Sequence, residues 1–194
     1  AIIATGDLTD HGSVAEYEAL AEIVAEAEAP VYLIPGNHDH PETLRQIFSD
    51  HTYLPKNGFL TYIVEDLPVT LIGLDTTVQG LPRGELCSER IEWLSNVLEK
   101  TKKKPVIIFM HHPPFRTGIW WMDAIGLKGR KKIEEVIKNY DNVEAVLAGH
   151  IHRQIQKSWA GTLGYIAPST AYQLALDLDG KDFLGCTNEP PAFS

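Results

Sequence analysis

Apolar residues in this chain fall into short continuous runs, separated by stretches where they recur every third or fourth position. That alternation predicts strands and helices in succession. The run Ala1-Ile2-Ile3-Ala4 reads as a core strand and leads into Thr5-Gly6-Asp7-Leu8-Thr9-Asp10-His11-Gly12. Ser13 and Glu16 form a capping box, after which Tyr17, Leu20, Ile23 and Val24 lay an apolar stripe along a helix that ends before Pro30. Residues 31–34 predict a second strand, and Pro41 and Glu42 open a second helix through Leu44, Ile47 and Phe48. Residues 59–64 and 69–74 predict two strands of a hairpin, and Ile91, Leu94 and Leu98 a helix capped near Ser88. Residues 106–110 and 143–148 predict two more strands, with a helix through Ile133, Val136 and Ile137 between them. Residues 115–128 show no period, and residues 155–178 read as shorter strands with turns at Ala160-Gly161 and Pro168. One domain over residues 1–194 is the economical reading. The chain opens inside a strand and stops without a closing element, so both ends are expected to be truncated.

One grammar recurs along this pattern: an apolar strand, a glycine, then a side chain able to bind metal. It occurs at Gly6-Asp7, Gly36-Asn37-His38 and Gly149-His150, and a fourth strand ends directly in His111. If those strands lie parallel, the four groups converge on one edge of a sheet, where α/β proteins place ligands. Of the 8 histidines only His51 lies away from these strand ends, which favours a shared site. Imidazole, carboxylate and amide oxygen together suit borderline metals such as Mn, Fe, Zn or Co. His150 and His152 are two residues apart and point the same way on an extended segment, whereas His111 and His112 point apart. Only one of the latter pair is therefore expected to ligate, with His11, His40 and His112 flanking the site.

Composition narrows the class. A net charge of −9 argues against a broad nucleic-acid-binding face, although metal ions can make an acidic protein receptive to phosphate esters. The basic run Lys128-Gly129-Arg130-Lys131-Lys132 is expected to start a helix. The longest apolar runs are strand-sized, so no membrane helix is expected. Cys87 and Cys186 form no metal or redox motif; a reducing, cytoplasmic setting fits best, with a single disulfide left open. No P-loop, Cys₄ or His-Glu-x-x-His pattern is present.

Gly6-Asp7-x-x-Asp10, Gly36-Asn37-His38-Asp39, His111-His112-Pro113-Pro114 and Gly149-His150-Ile151-His152 resemble, in order, the motifs of the calcineurin-like metallophosphoesterases. Residues 32–39 and 109–114, followed by Met122-Asp123, are similar to the bacterial class III cyclic nucleotide phosphodiesterases and glycerophosphodiesterases. The resemblance implies an α/β fold, a four-layer α/β/β/α sandwich, carrying two divalent metal ions. By it, Asp7 bridges the ions, Asn37, His111 and His150 complete one site, and His152 contributes to the other. His38 stands by the scissile phosphate, with Asp39 its supporting neighbour. The family's Asp-x-His motif, which lies N-terminal to Gly-Asp, has no counterpart here, so the second site is expected to be depleted in this fragment. The implied reaction is hydrolysis of a small phosphodiester, a cyclic nucleotide or a glycerophosphodiester, by in-line attack of a metal-bridging hydroxide. The rival is a family-fold binding or scaffold protein that has lost catalysis. Asp10 is either a helix-entry acid or a supporting residue of the site, and Arg153 either a phosphate contact or a solvated residue. Trp120 and Trp121 are either part of a lid or packed at a core edge or oligomer interface.

Overall fold

The computed structural model describes residues 1–180 and 185–194. Strand β1 (Ile2–Ala4) pairs in parallel with β2 (Val31–Leu33), the two joined through helix α1 (Val14–Ala25) and followed by α2 (Pro41–Ile47). A larger sheet begins with β3 (Tyr62–Val64) and β4 (Thr70–Leu74), an antiparallel pair. The short β5 (Gly84–Glu85) and α3 (Ser88–Lys100) precede β6 (Val106–Met110). Then come α4 (Trp120–Ala124), β7 (Leu127–Lys128), α5 (Arg130–Ile137) and β8 (Val143–Ala148). The hairpin β9 (Ile155–Trp159) and β10 (Thr162–Ile166) is followed by the small pair β11 (Gln173–Leu174) and β12 (Cys186–Thr187).

The larger sheet runs β3-β4-β6-β8-β10-β9, with β4, β6, β8 and β10 parallel and both edges antiparallel. Strands β4 and β6 are almost wholly apolar and buried, as strands covered on both faces must be. Helices α1 and α2 pack on each other, as do α3 and α5. Two sheets, each with its own helix pair, make the four-layer α/β/β/α arrangement. The convergence expected on one sheet edge is therefore corrected. Asp7 and Asn37 follow strands of the small sheet, and His111 and His150 follow strands of the large one.

Aromatic side chains join the sheets. The rings of Tyr32, Tyr53, Tyr62 and Phe109 form a chain with centroid separations of 5.1, 4.7 and 5.9 Å. The Tyr53 hydroxyl accepts from the Leu33 amide at 3.0 Å and donates to the Val31 carbonyl at 3.0 Å, while Tyr62 donates to the Leu33 carbonyl at 2.7 Å. These phenols satisfy the free edge of β2 where a two-stranded sheet offers no further strand.

Several local expectations shift. Residues 59–61 do not join β3: the Leu60 amide donates to the Asp75 carboxylate instead, at 3.0 Å. The α3 cap is Cys87, next to Ser88 as expected, whereas the aperiodic stretch after Phe115 contains α4. Trp121 is buried there, whereas Trp120 is half-exposed. The α1 capping box is as expected, with the Ser13 amide donating to Glu16 at 2.9 Å and the Glu16 amide to the Ser13 hydroxyl at 3.4 Å. Ser13→Ala is expected to cost about 1 kcal/mol, read as a lowered urea midpoint with an unchanged m-value. Among the described residues no helix is long and apolar enough to cross a membrane, and both cysteines are free.

Candidate metal centre

Glycines bring the strand ends within reach of one another. A Cβ on Gly36 would lie 2.2 Å from the Asp7 amide and carboxylate, and one on Gly6 would lie 2.6 Å from His111 Nδ1. Asp7, His150 and His152 hold φ of 52°, 66° and 50°, the left-handed region that non-glycine residues rarely enter. Each such residue costs about 1–3 kcal/mol, so three in one place mark a geometry kept for function.

Four donor atoms meet at this point. His111 Nε2 lies 3.2 Å from Asp7 Oδ2, 3.1 Å from Asn37 Oδ1 and 3.2 Å from His150 Nδ1. The Thr5 carbonyl, 2.8 Å from His111 Nδ1, only accepts, so Nδ1 carries the proton and Nε2 turns its lone pair into the cluster. An imidazole lone pair facing two oxygen acceptors is repulsive as it stands. His150 is buried too, and its Nε2 has no hydrogen-bond partner among the described residues. Donor atoms bound at about 2.1 Å around one cation sit about 3.0–3.4 Å from each other, which is the spacing found. The donor set therefore fits a divalent ion.

His112 lies in the same histidine group, the ring nitrogens of His111, His112 and His150 being within 4.8 Å of one another. It has no lone pair to offer. Its Nε2–H donates to the Pro82 carbonyl at 3.1 Å, and its Nδ1 accepts from the Thr76 hydroxyl at 2.8 Å. The ring packs against those of His150 and His111, at 4.5 and 4.8 Å between centroids, and so sets where they stand. His152 donates from Nδ1 to the Tyr172 carbonyl at 3.1 Å, which leaves Nε2 free to ligate.

His38 sits beside the cluster, its amide donating to Asp7 Oδ1 at 3.0 Å and its Nδ1–H to the Asp10 carbonyl at 2.9 Å. Asp10 thus orients His38 through its backbone, while its exposed carboxylate lies 3.6 Å from the same nitrogen. Asp39 is buried and reaches no reacting position. Its carboxylate accepts from the amides of Leu8, Thr9 and Gly36 and from the hydroxyls of Thr9 and Tyr17, at 2.8–3.2 Å. It binds the Asp7 turn to the Asn37 turn. Arg153 is mostly buried rather than freely solvated: its Nη1 donates to the Leu174 carbonyl at 2.8 Å and to Glu189 at 2.7 Å, tying it to the C-terminal segment.

Burial opposes charge on each of these groups; neighbours overcome it at Asp7 and His111, and burial prevails at His112, His150 and His152. Burial would raise the Asp7 carboxyl, but His111 and the His38 amide draw it well below the usual range. Burial would weaken His111 as a base, and Asp7 reverses that, so its pKa is raised. A proton and a divalent cation therefore compete for His111 Nε2. Burial pushes His150 down to about 3 and His112 well below its usual value, and lowers His152. A histidine lowered by folding adds stability that is full above its unfolded pKa near 6.5 and lost as pH falls toward its folded pKa. His111, raised, acts in the opposite sense. With three lowered and one raised, the metal-free protein is expected to lose stability as pH drops from about 7 to about 4. Thermal melts across that range check this; a flat or rising melting temperature would contradict it.

Sequence reasoning passed over Thr5, Tyr17, Thr76 and Tyr172. Thr5 and Tyr172 act through backbone carbonyls, which no residue type signals. Tyr17 reads as an ordinary member of the helical stripe, and nothing in the pattern singles out Thr76.

The calcineurin-like phosphoesterase family model matches residues 1–154. A probable glycerophosphodiester phosphodiesterase of Arcobacter nitrofigilis is 38% identical over 192 residues, covering 98% of this chain and 70% of the relative. A probable cyclic nucleotide phosphodiesterase of Rhodopseudomonas palustris is 33% identical over 198 residues, covering 100% of this chain and 71% of the relative. The 3',5'-cyclic adenosine monophosphate phosphodiesterase of Escherichia coli K12 is 33% identical over 172 residues, 89% of this chain and 61% of its own. Among solved structures, a dimetal phosphatase from Danio rerio superposes with a TM-score of 0.61 at 13% identity, covering 79% of this chain and 65% of that one. A Thermus thermophilus protein gives 0.59 at 18% identity, covering 93% and 83%. The strand-end donors, the two-sheet frame that gathers them and these matches agree that the chain belongs to the calcineurin-like phosphoesterase family.

Proposed function

We propose that the chain hydrolyses small phosphodiesters, cyclic nucleotides or glycerophosphodiesters, with divalent metal ions as cofactors. The observation that carries this is the meeting of four lone-pair donors, Asp7, Asn37, His111 and His150, directly beside His38. Those four residues would hold one ion, and Asp7 with His152 would contribute to a second. Divalent ions there would supply Lewis acidity toward phosphoryl oxygens and toward water. The protein's own part is orientation and proton transfer. The Asp10 carbonyl holds the Nδ1 proton of His38, so the proton it can give up is one on Nε2: as an imidazolium, His38 would pass that proton to the departing alkoxide and be left as the neutral Nδ1–H tautomer. The His38 amide restrains Asp7, tying that histidine to the metal ligands as one unit. The names of the relatives support both diester classes. Free cysteines agree with a cytoplasmic setting.

Turnover of an aryl phosphodiester with added Mn²⁺, followed by release of the phenol and by metal analysis of the same sample, tests the proposal. Metal-dependent release is expected. A protein that binds its ions yet turns over nothing would instead be a binding module built on this fold.

A further inference from the structure

We infer that Tyr172 is a specificity-determining residue, a fixed aromatic platform beside the metal centre that packs against the planar base of a nucleoside phosphodiester. This rests on the phosphodiesterase reading above and narrows it to substrates with a flat substituent. The Tyr172 ring stands 4.8 Å from the His152 ring at an interplanar angle of 56°. Its backbone is held in that position from both sides. The Tyr172 carbonyl accepts from His152 Nδ1 at 3.1 Å, and the next residue but one, Leu174, donates its amide to the His152 carbonyl at 3.1 Å. Between them the buried Gln173 donates to the Ser169 carbonyl at 2.7 Å and accepts from the Ser169 amide at 3.1 Å, closing the turn that presents the tyrosine. The side chain, by contrast, is left open, at 50% exposed.

A rigid backbone carrying a half-exposed ring is what stacking needs, because little ordering entropy is left to lose when a second flat group arrives. An aromatic contact of this kind tolerates any base, since every base has a π-face. A glycerol ester has no such face and would gain nothing from it. The ring does not belong to the hydrophobic core, so removing it leaves the fold's apolar packing in place.

The experiment compares wild type, Tyr172→Phe and Tyr172→Ala on 3',5'-cyclic AMP and on glycerophosphocholine, with metal content measured for each. Tyr172→Ala is expected to raise KM for the cyclic nucleotide about tenfold or more while kcat changes little. KM for glycerophosphocholine and the metal content should stay as in wild type, and Tyr172→Phe should restore the nucleotide KM. Equal losses on both substrates, or metal loss, would show that the residue only props up His152 and would overturn the proposal, as would an unchanged nucleotide KM. Binding of AMP to the metal-loaded protein, measured by calorimetry, keeps the test independent of turnover. Failure of wild type to turn over either diester sinks the phosphodiesterase reading alone; AMP affinity that is equal in wild type and Tyr172→Ala sinks the platform.

Discussion

His38→Ala is expected to lower kcat on a phosphodiester by about 10²–10⁴-fold while the protein keeps its metal. The two halves of that outcome have separate causes. His38 contributes no atom to the four-donor cluster; its contacts are an amide to Asp7 and a ring nitrogen to the Asp10 carbonyl. Alanine preserves the amide, so Asp7 stays restrained and the ligands keep their positions. What is lost is an imidazole, half-exposed, whose free nitrogen can face a departing oxygen. Elemental analysis and kcat on the same preparation decide the matter. Loss of metal would make His38 a ligand, and a kcat within a fewfold of wild type would remove it from the chemistry. An aryl ester with a good leaving group should suffer less than an alkyl ester, because protonation matters less for a weakly basic oxygen.

Asp39→Ala is expected to be the most destabilising single change near the site, by about 3 kcal/mol or more. Its carboxylate serves five donors from three places: the loop after β1, the turn after β2, and Tyr17 on α1. Alanine would leave the amides of Leu8, Thr9 and Gly36 buried without an acceptor, each at a cost of about 1–3 kcal/mol before relaxation or water entry. Tyr17→Phe removes one of these donors and also the acceptor for the His40 amide, so it should cost about 1 kcal/mol. Urea denaturation of the metal-free proteins separates the two cases. A loss below about 1 kcal/mol for Asp39→Ala would mean that water or a neighbouring oxygen takes over the donors. Metal affinity should fall together with stability, since the Asp7 and Asn37 turns lose their common anchor.

This histidine and this aspartate, adjacent in sequence, show where reading the chain reaches its limit. Gly36-Asn37-His38-Asp39 was legible as a strand end bearing chemistry because glycine, amide, imidazole and carboxylate seldom follow a buried run by chance. Which of them acts and which supports was not legible from type or order. The direction of each side chain depends on partners 28–31 residues away, at Asp10 for His38 and at Leu8 and Thr9 for Asp39. The pair His111-His112 repeats the lesson. The two rings do not point apart as neighbours on an extended strand would: both residues lie past the end of β6, and their rings pack at 4.8 Å between centroids. Only the contacts with Thr5, Thr76 and Pro82 reveal which ring keeps a lone pair for a cation.

By itself the sequence determined the alternation of strands and helices, the capping box of α1 and the set of residue types gathered at strand ends. All of these are local: they follow from period, from turn chemistry and from what a side chain can donate. The tertiary structure decided that the donors come from two sheets rather than one, because pairing β1 with β2 and β6 with β8 depends on contacts distant in sequence. It also decided which groups Arg153 and Asp39 bond to and the place of Tyr172 beside His152. A hydrogen bond is satisfied by geometry, and that geometry exists only once the strands have met.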